Sequence, residues 1–199
     1  MRKWLVALLA VTAALMPSLA LAQVSSDSGT SNKSTGPAYK YQVFAGAGYI
    51  GLNQVNQSRY GLIGANVAVS RNWGRYFAVT IDGAYYPSSL GSGNPGDPSV
   101  DAILGGPELH GQLFERWELF VRGLIGYEHT GGEHMIPDTS FAGGGGGGVE
   151  YSINSRWGVR VSGDVIGASF SPENNTPLLG YSPHRTFNSR ASGGIVYRF

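Results

Sequence analysis

The chain of 199 residues has no cysteine. That excludes disulfides, thiolate metal sites, a cysteine nucleophile and the modified cysteine of a lipoprotein signal. Charge is scarce as well. Asp, Glu, Lys and Arg supply 14% of the residues, against about 25% in an ordinary soluble domain. The formal net charge is only +1, and no basic stripe is present, which argues against a nucleic-acid partner. After the first 22 residues there is no apolar run long enough for a membrane helix.

What is present begins with a secretory signal. Arg2 and Lys3 form a positive start, Trp4 to Leu15 an apolar stretch, Pro17 a break, and Ala20-Leu21-Ala22 a small-residue cleavage site. The stretch is too short, and ends too abruptly, to be read as a membrane-spanning helix. Residues 1–22 are therefore expected to be removed. Loss of Arg2 and Lys3 takes the formal charge from +1 to −1. Residues 23–39 follow as a Ser/Gly-rich segment, with Ser25, Ser26, Ser28, Ser31 and Ser34, too poor in apolar side chains to fold alone.

From residue 40 to 199 the pattern changes to short segments of period two, expected to form one all-β domain. Strands are expected near 40–51, 59–70, 75–86, 99–113, 118–129, 140–153, 157–169 and 186–199. Alternation is cleanest in the third, where Phe77, Val79, Ile81, Gly83 and Tyr85 share one face and Ala78, Thr80, Asp82 and Ala84 the other. The phase of the first strand is ambiguous. Gly143 to Gly148, six glycines that elsewhere would read as a loop, lie in phase between Phe141 and Val149 and are read as strand. Connections alternate in length: short at 70–74, 114–117 and 154–156, longer at 87–98, 129–139 and 171–185. Eight strands of alternating polarity, with short turns at one end and longer loops at the other, describe an antiparallel up-and-down transmembrane β-barrel.

The alternation assigns residues to faces. Asp82, Glu108, Arg122, Glu128, Glu150, Arg160, Asp164 and Arg190 fall on the phase opposite the apolar one. An eight-stranded barrel is just wide enough for side chains to fill its interior. These groups are therefore expected to form an internal charge network, because unpaired charge in such a space costs several kcal/mol. Trp73, Trp117 and Trp157 all fall at the short turns, where indoles would form an interfacial aromatic girdle. The chain ends Gly194-Ile195-Val196-Tyr197-Arg198-Phe199. There Ile195, Tyr197 and the terminal Phe199 resemble the C-terminal signal by which outer-membrane barrels are inserted.

The stretches Leu104 to Leu109, Phe120 to Gly126, Phe141 to Tyr151 and Phe187 to Phe199 resemble the outer-membrane β-barrel family related to the membrane domain of OmpA. The resemblance spans about 40–199. It implies a Gram-negative outer membrane, a filled interior, outer-membrane lipid and lipopolysaccharide as surroundings, and barrel-insertion machinery as a partner during assembly. The chain departs from full-length members by stopping at the barrel, so anchoring to the cell wall is not implied.

No catalytic, cofactor or metal site is expected. The lipid A deacylase type of barrel carries His-x-Ser near a Glu; none of His110, His129, His134 and His184 has Ser two positions later. His129, Glu133 and His134 lack the spacing of the helical zinc motif. Gly-x-Gly-x-x-Gly within 143–148 lacks a following helix. The leading expectation is a non-enzymatic outer-membrane protein, structural or interacting through its loops, with at most a narrow solute path. The alternatives are a barrel that binds or passes a small apolar ligand and, after it, a membrane-embedded lipid hydrolase.

Overall fold

A computed structural model describes residues 39–53, 59–87, 99–132, 135–168 and 186–199. They form eight strands: β1 (Tyr41–Asn53), β2 (Arg59–Trp73), β3 (Phe77–Tyr86), β4 (Ser99–Phe114), β5 (Trp117–Gly132), β6 (Met135–Ser152), β7 (Trp157–Ala168) and β8 (Thr186–Arg198). Each strand pairs antiparallel with the next, and β1 pairs with β8 to close the barrel. The seam is completed by the last residue: the Phe199 carbonyl accepts from the Lys40 and Tyr41 amides, and the Phe199 amide donates to the Tyr41 carbonyl. Closure leaves no strand edge unpaired, the condition for placing a sheet in lipid.

Register makes the alternation global. Paired residues such as Tyr41↔Arg71, Phe77↔Leu109 and Trp157↔Tyr197 have numbers of equal parity. Even-numbered side chains therefore point into the lumen and odd-numbered ones outward, except past the register shifts at the ends of β4 and β5. β7 shows it most plainly, with Gly158, Arg160, Ser162, Asp164, Ile166 and Ala168 buried and their odd neighbours turned outward. The same rule resolves β1, where Gln42, Phe44, Gly48 and Ile50 point inward. The outward face carries Ile63, Val67, Ile81, Ile103, Val121, Ile125, Val161 and Val165, all exposed. From Trp117 to Tyr127 the chain advances about 33 Å at about 3.3 Å per residue. At a tilt of about 40° this is a band roughly 25 Å tall, the height of an outer-membrane hydrocarbon zone.

Aromatic rings mark both margins of the band. At the turn end Trp73 stacks on Phe77, and Trp117 and Trp157 lie tilted against Tyr151 and Tyr197, with ring centroids 6.1, 5.0 and 4.8 Å apart. Arg71 lies 4.8 Å over the Trp73 ring. At the loop end Tyr49, Tyr85, Tyr127, Phe141 and Phe187 are exposed outward.

The turns are set by local chemistry. Gly74, at φ +77°, takes the left-handed conformation that lets β2 reverse into β3. The Asn154 side-chain oxygen accepts from the Arg156 and Trp157 amides at 2.9 and 2.8 Å, an Asx turn between β6 and β7. Gly143 to Gly148 lie within β6. At the inward-facing Gly148 a Cβ would come 2.9 Å from the tip of the Phe120 ring and 2.8 Å from the Ser162 Cα, so only glycine lets β6 and β7 close over that ring.

One sequence expectation is corrected. Residues 129–139 do not form a long loop: β5 runs to Gly132 and β6 begins at Met135. The His129↔Thr139 and Thr130↔Asp138 pairs continue the ladder, with a register shift between Thr130 and Gly132. The expected loops at 88–98 and 171–185 lie outside the described residues.

Candidate functional site: the barrel lumen

All eight charged residues assigned to the inner face are buried in the lumen: Asp82, Glu108, Arg122, Glu128, Glu150, Arg160, Asp164 and Arg190. Seven of them make ion pairs with one another, in two tiers. Glu128 stands apart.

The middle tier is a four-membered charge cluster. Arg122 grips Asp164 with two nitrogens, Nε to Oδ1 at 2.9 Å and Nη2 to Oδ2 at 2.8 Å. Arg190, the register neighbour of Asp164 on β8, donates to Asp164 Oδ2 at 3.0 Å and to Asp82 Oδ1 at 2.6 Å. Arg122 also reaches Asp82 at 3.5 Å. Two carboxylates face two guanidiniums, so the tier is neutral. Forked guanidinium geometry suits this sharing.

The tier nearer the turns uses Glu108, Glu150 and Arg160, and adds three residues the sequence reading passed over: His110, Glu118 and Arg198. Arg160 donates to its cross-strand neighbour Glu150 at 2.8 Å and to Glu108 at 3.4 Å. Arg198 binds Glu150 from the other side and the Ser152 hydroxyl at 3.0 Å. The Arg160 guanidinium, 2% exposed, sits 4.3 Å over Phe120 and 6.0 Å over Phe44. A cation between two rings is held by their quadrupoles as well as by carboxylates. His110 lies between Glu108, 3.0 Å from Nε2, and Glu118 at Nδ1. Nδ1 is hydrogen-bonded to Glu118, while Nε2 faces Glu108 without hydrogen-bond geometry. Arg198 lies 5.0 Å over the ring of Tyr39, just before β1, and burial pushes that phenol above the usual range.

Toward the loops the lumen changes character. Ile50, Leu62, Val100, Leu104, Leu124 and Ile166 are buried together, with Tyr86 among them. The Tyr86 ring crosses β1 and β2 above glycines: a Cβ on Gly48 would lie 2.8 Å from its hydroxyl. This apolar tier was missed by the sequence reading, although its members share the inward parity. Glu128 lies at its side, 1% exposed. Its Oε1 accepts from the Asn188 amide at 3.3 Å, and among the described residues it makes no ion pair and its Oε2 meets no donor.

Trp73, Trp117 and Trp157 sit at the turn end, facing outward. Ile195, Tyr197 and Phe199 point outward along β8, with Phe199 stacked 5.8 Å from Tyr41 across the seam. Among the described residues no cluster of His, Asp and Glu is arranged to hold a metal ion.

No family model matches the chain, and no curated protein matches it in sequence. Solved structures do match. The Neisserial surface protein A, NspA, is similar with a TM-score of 0.64 at 11% identity, over 80% of this chain and 97% of that one. Ail, the attachment invasion locus protein of Yersinia pestis, is similar with a TM-score of 0.55 at 15% identity, over 81% and 99%. OprG of Pseudomonas aeruginosa gives 0.51 at 10% identity, over 84% and 99%. All are outer-membrane proteins. This chain has the fold of the eight-stranded outer-membrane barrels.

Proposed function

We infer that this chain is a non-enzymatic outer-membrane barrel, delivered by the cleaved signal at 1–22, whose role is structural or lies in surface interaction through its loops. The single observation that carries this reading is the pair of charge tiers. They tie β3, β4, β5, β6, β7 and β8 together across the lumen through Asp82, Glu108, Arg122, Glu150, Asp164, Arg190 and their partners. An interior crossed by two sets of salt bridges serves rigidity and leaves at most a narrow solute path. The outward aromatic margins and the apolar band suit outer-membrane lipid and lipopolysaccharide as surroundings, and the Ile195-Tyr197-Phe199 end suits recognition by the insertion machinery. The names of two similar proteins, a surface protein and an attachment invasion locus protein, favour a role exerted at the cell surface.

Conductance of the purified barrel in planar bilayers tests this. The expected result is no stable channel in the wild type and brief openings in Arg122→Ala or Arg190→Ala. Steady ohmic steps in the wild type would overturn the closed-lumen reading. Migration on a detergent gel with and without boiling, from outer-membrane fractions, tests the location: a faster unboiled band is expected.

A second reading is favoured by one observation. The apolar tier of Ile50, Leu62, Val100, Leu104, Leu124 and Ile166 has the chemistry of a receptacle for a small apolar ligand entering from the loop end.

A further inference from the structure

The five carboxylates buried in the lumen fall into two groups. Asp82, Glu108, Glu150 and Asp164 each have a guanidinium within 3.5 Å. Three of these acids have an arginine as a register neighbour: Glu108 pairs across strands with Arg122, Glu150 with Arg160, and Asp164 with Arg190. Asp82, between Ala68 and Leu104 in the register, takes Arg122 and Arg190 from across the lumen. Glu128 has no such arginine: its cross-strand neighbours are Ala102 on β4 and Ser140 on β6. Two residues before it on the inward face is Gly126.

The carboxylate itself is built into the wall. It is 1% exposed, and Asn188 donates to Oε1 at 3.3 Å. Oε2 is buried and meets no donor among the described residues. Ala102, the cross-strand neighbour of Glu128, belongs to the apolar cluster that also holds Leu124, Ala142 and Ile166. A half-satisfied acid beside apolar surface is costly to leave unpaired. A primary ammonium would satisfy it, since it brings three donors and a full charge in a compact head.

We propose that the loop-side lumen is a binding site for a small amphipathic monocation of the primary alkylammonium class, with Glu128 receiving the ammonium and the side chains of Leu124, Ala142 and Ile166 the alkyl chain. This rests on the second reading above, of an apolar loop-side tier that takes a ligand.

The test is solution NMR of the full barrel in micelles, titrated with n-butylammonium and, separately, with n-butanol. Methyl signals of Ala102, Ala142 and Ile166 report the lumen; those of the outward Ile81 and Ile125 report partition into the micelle. In the wild type n-butylammonium is expected to shift the lumen methyls saturably and leave the outward ones unmoved. In Glu128→Gln its dissociation constant is expected to rise about tenfold or more, the loss of one charge-assisted hydrogen bond. Glu128→Gln keeps shape and removes charge, and its unboiled gel mobility checks that it is folded. Equal affinity for n-butylammonium and n-butanol, unchanged in Glu128→Gln, would overturn the anchoring role of Glu128 while leaving an apolar receptacle. No saturable shift of the lumen methyls with either probe would overturn both.

Discussion

The two halves of the lumen solve the same packing problem with opposite chemistry. Near the turns, Glu108, Glu150, Arg160 and Arg198 and, above them, Asp82, Arg122, Asp164 and Arg190 fill the interior with paired charge. Toward the loops Ile50, Leu62, Leu104, Leu124 and Ile166 fill it with hydrocarbon. The difference shows what each filling can do. A charge network fixes geometry, because its ion pairs form only in one arrangement, and removing one member strands the others. An apolar filling has no directional partners, and a side chain trimmed from it costs burial and leaves a cavity. The turn half, the base of the barrel, is therefore held by specific pairs, and the loop half by non-directional packing.

Substitutions sharpen or break that contrast. The largest effect is expected at Arg160, which Glu108, Glu150, Phe44 and Phe120 all hold. Arg160→Ala should cost about 3–5 kcal/mol, because it leaves buried carboxylates uncompensated; urea unfolding in lipid vesicles measures it. Next is Gly148→Val. Its side chain must displace the Phe120 ring or part β6 from β7, an overpacking cost of about 1–3 kcal/mol read in the same assay. Ile166→Val in the apolar half should cost less, about 0.5–1.5 kcal/mol. Smallest in size and opposite in sign is Glu128→Gln, expected to be neutral or mildly stabilising, because it removes an acid without an ion-pair partner among the described residues. Glu108→Gln, whose acid faces Arg160 and His110, should be clearly destabilising. Equal losses from the two Glu→Gln variants would erase the distinction between the halves.

Much of the base was legible in the sequence because β3 and β7 alternate without a break. Asp82 and Asp164 could be placed inside by counting from Phe77 and Trp157 alone. Gly143 to Gly148 were legible for the same reason, since Phe141 and Val149 keep phase across them. Arg198 carried the same signal, two residues from Val196 and in step with Arg190, but the terminal motif drew attention to its odd-numbered neighbours. The role of His110 depends on Glu118, which reaches it only through the β4–β5 register, and no local pattern specifies that register. The apolar loop half was hidden for a different reason. At Leu124-Ile125 and Ile103-Leu104 both faces are apolar, so alternation of polarity vanishes where lipid lies on one side and hydrocarbon on the other. The extension of β5 and β6 past His129 and Thr139 was masked by Gly131, Gly132 and Pro137, turn formers that the ladder accommodates at its end with a register shift.

The most direct test of the charge-closed base is a double-mutant cycle between Asp164 and Arg190, which face each other across β7 and β8 with Arg190 Nε 3.0 Å from Asp164 Oδ2. Unfolding free energies of Asp164→Ala, Arg190→Ala and the double variant would be measured in lipid vesicles. A coupling of about 1–3 kcal/mol, with the double variant losing clearly less than the sum of the single ones, is the predicted result. Additive losses would contradict an interlocked base and leave the buried charges as independent occupants of the lumen.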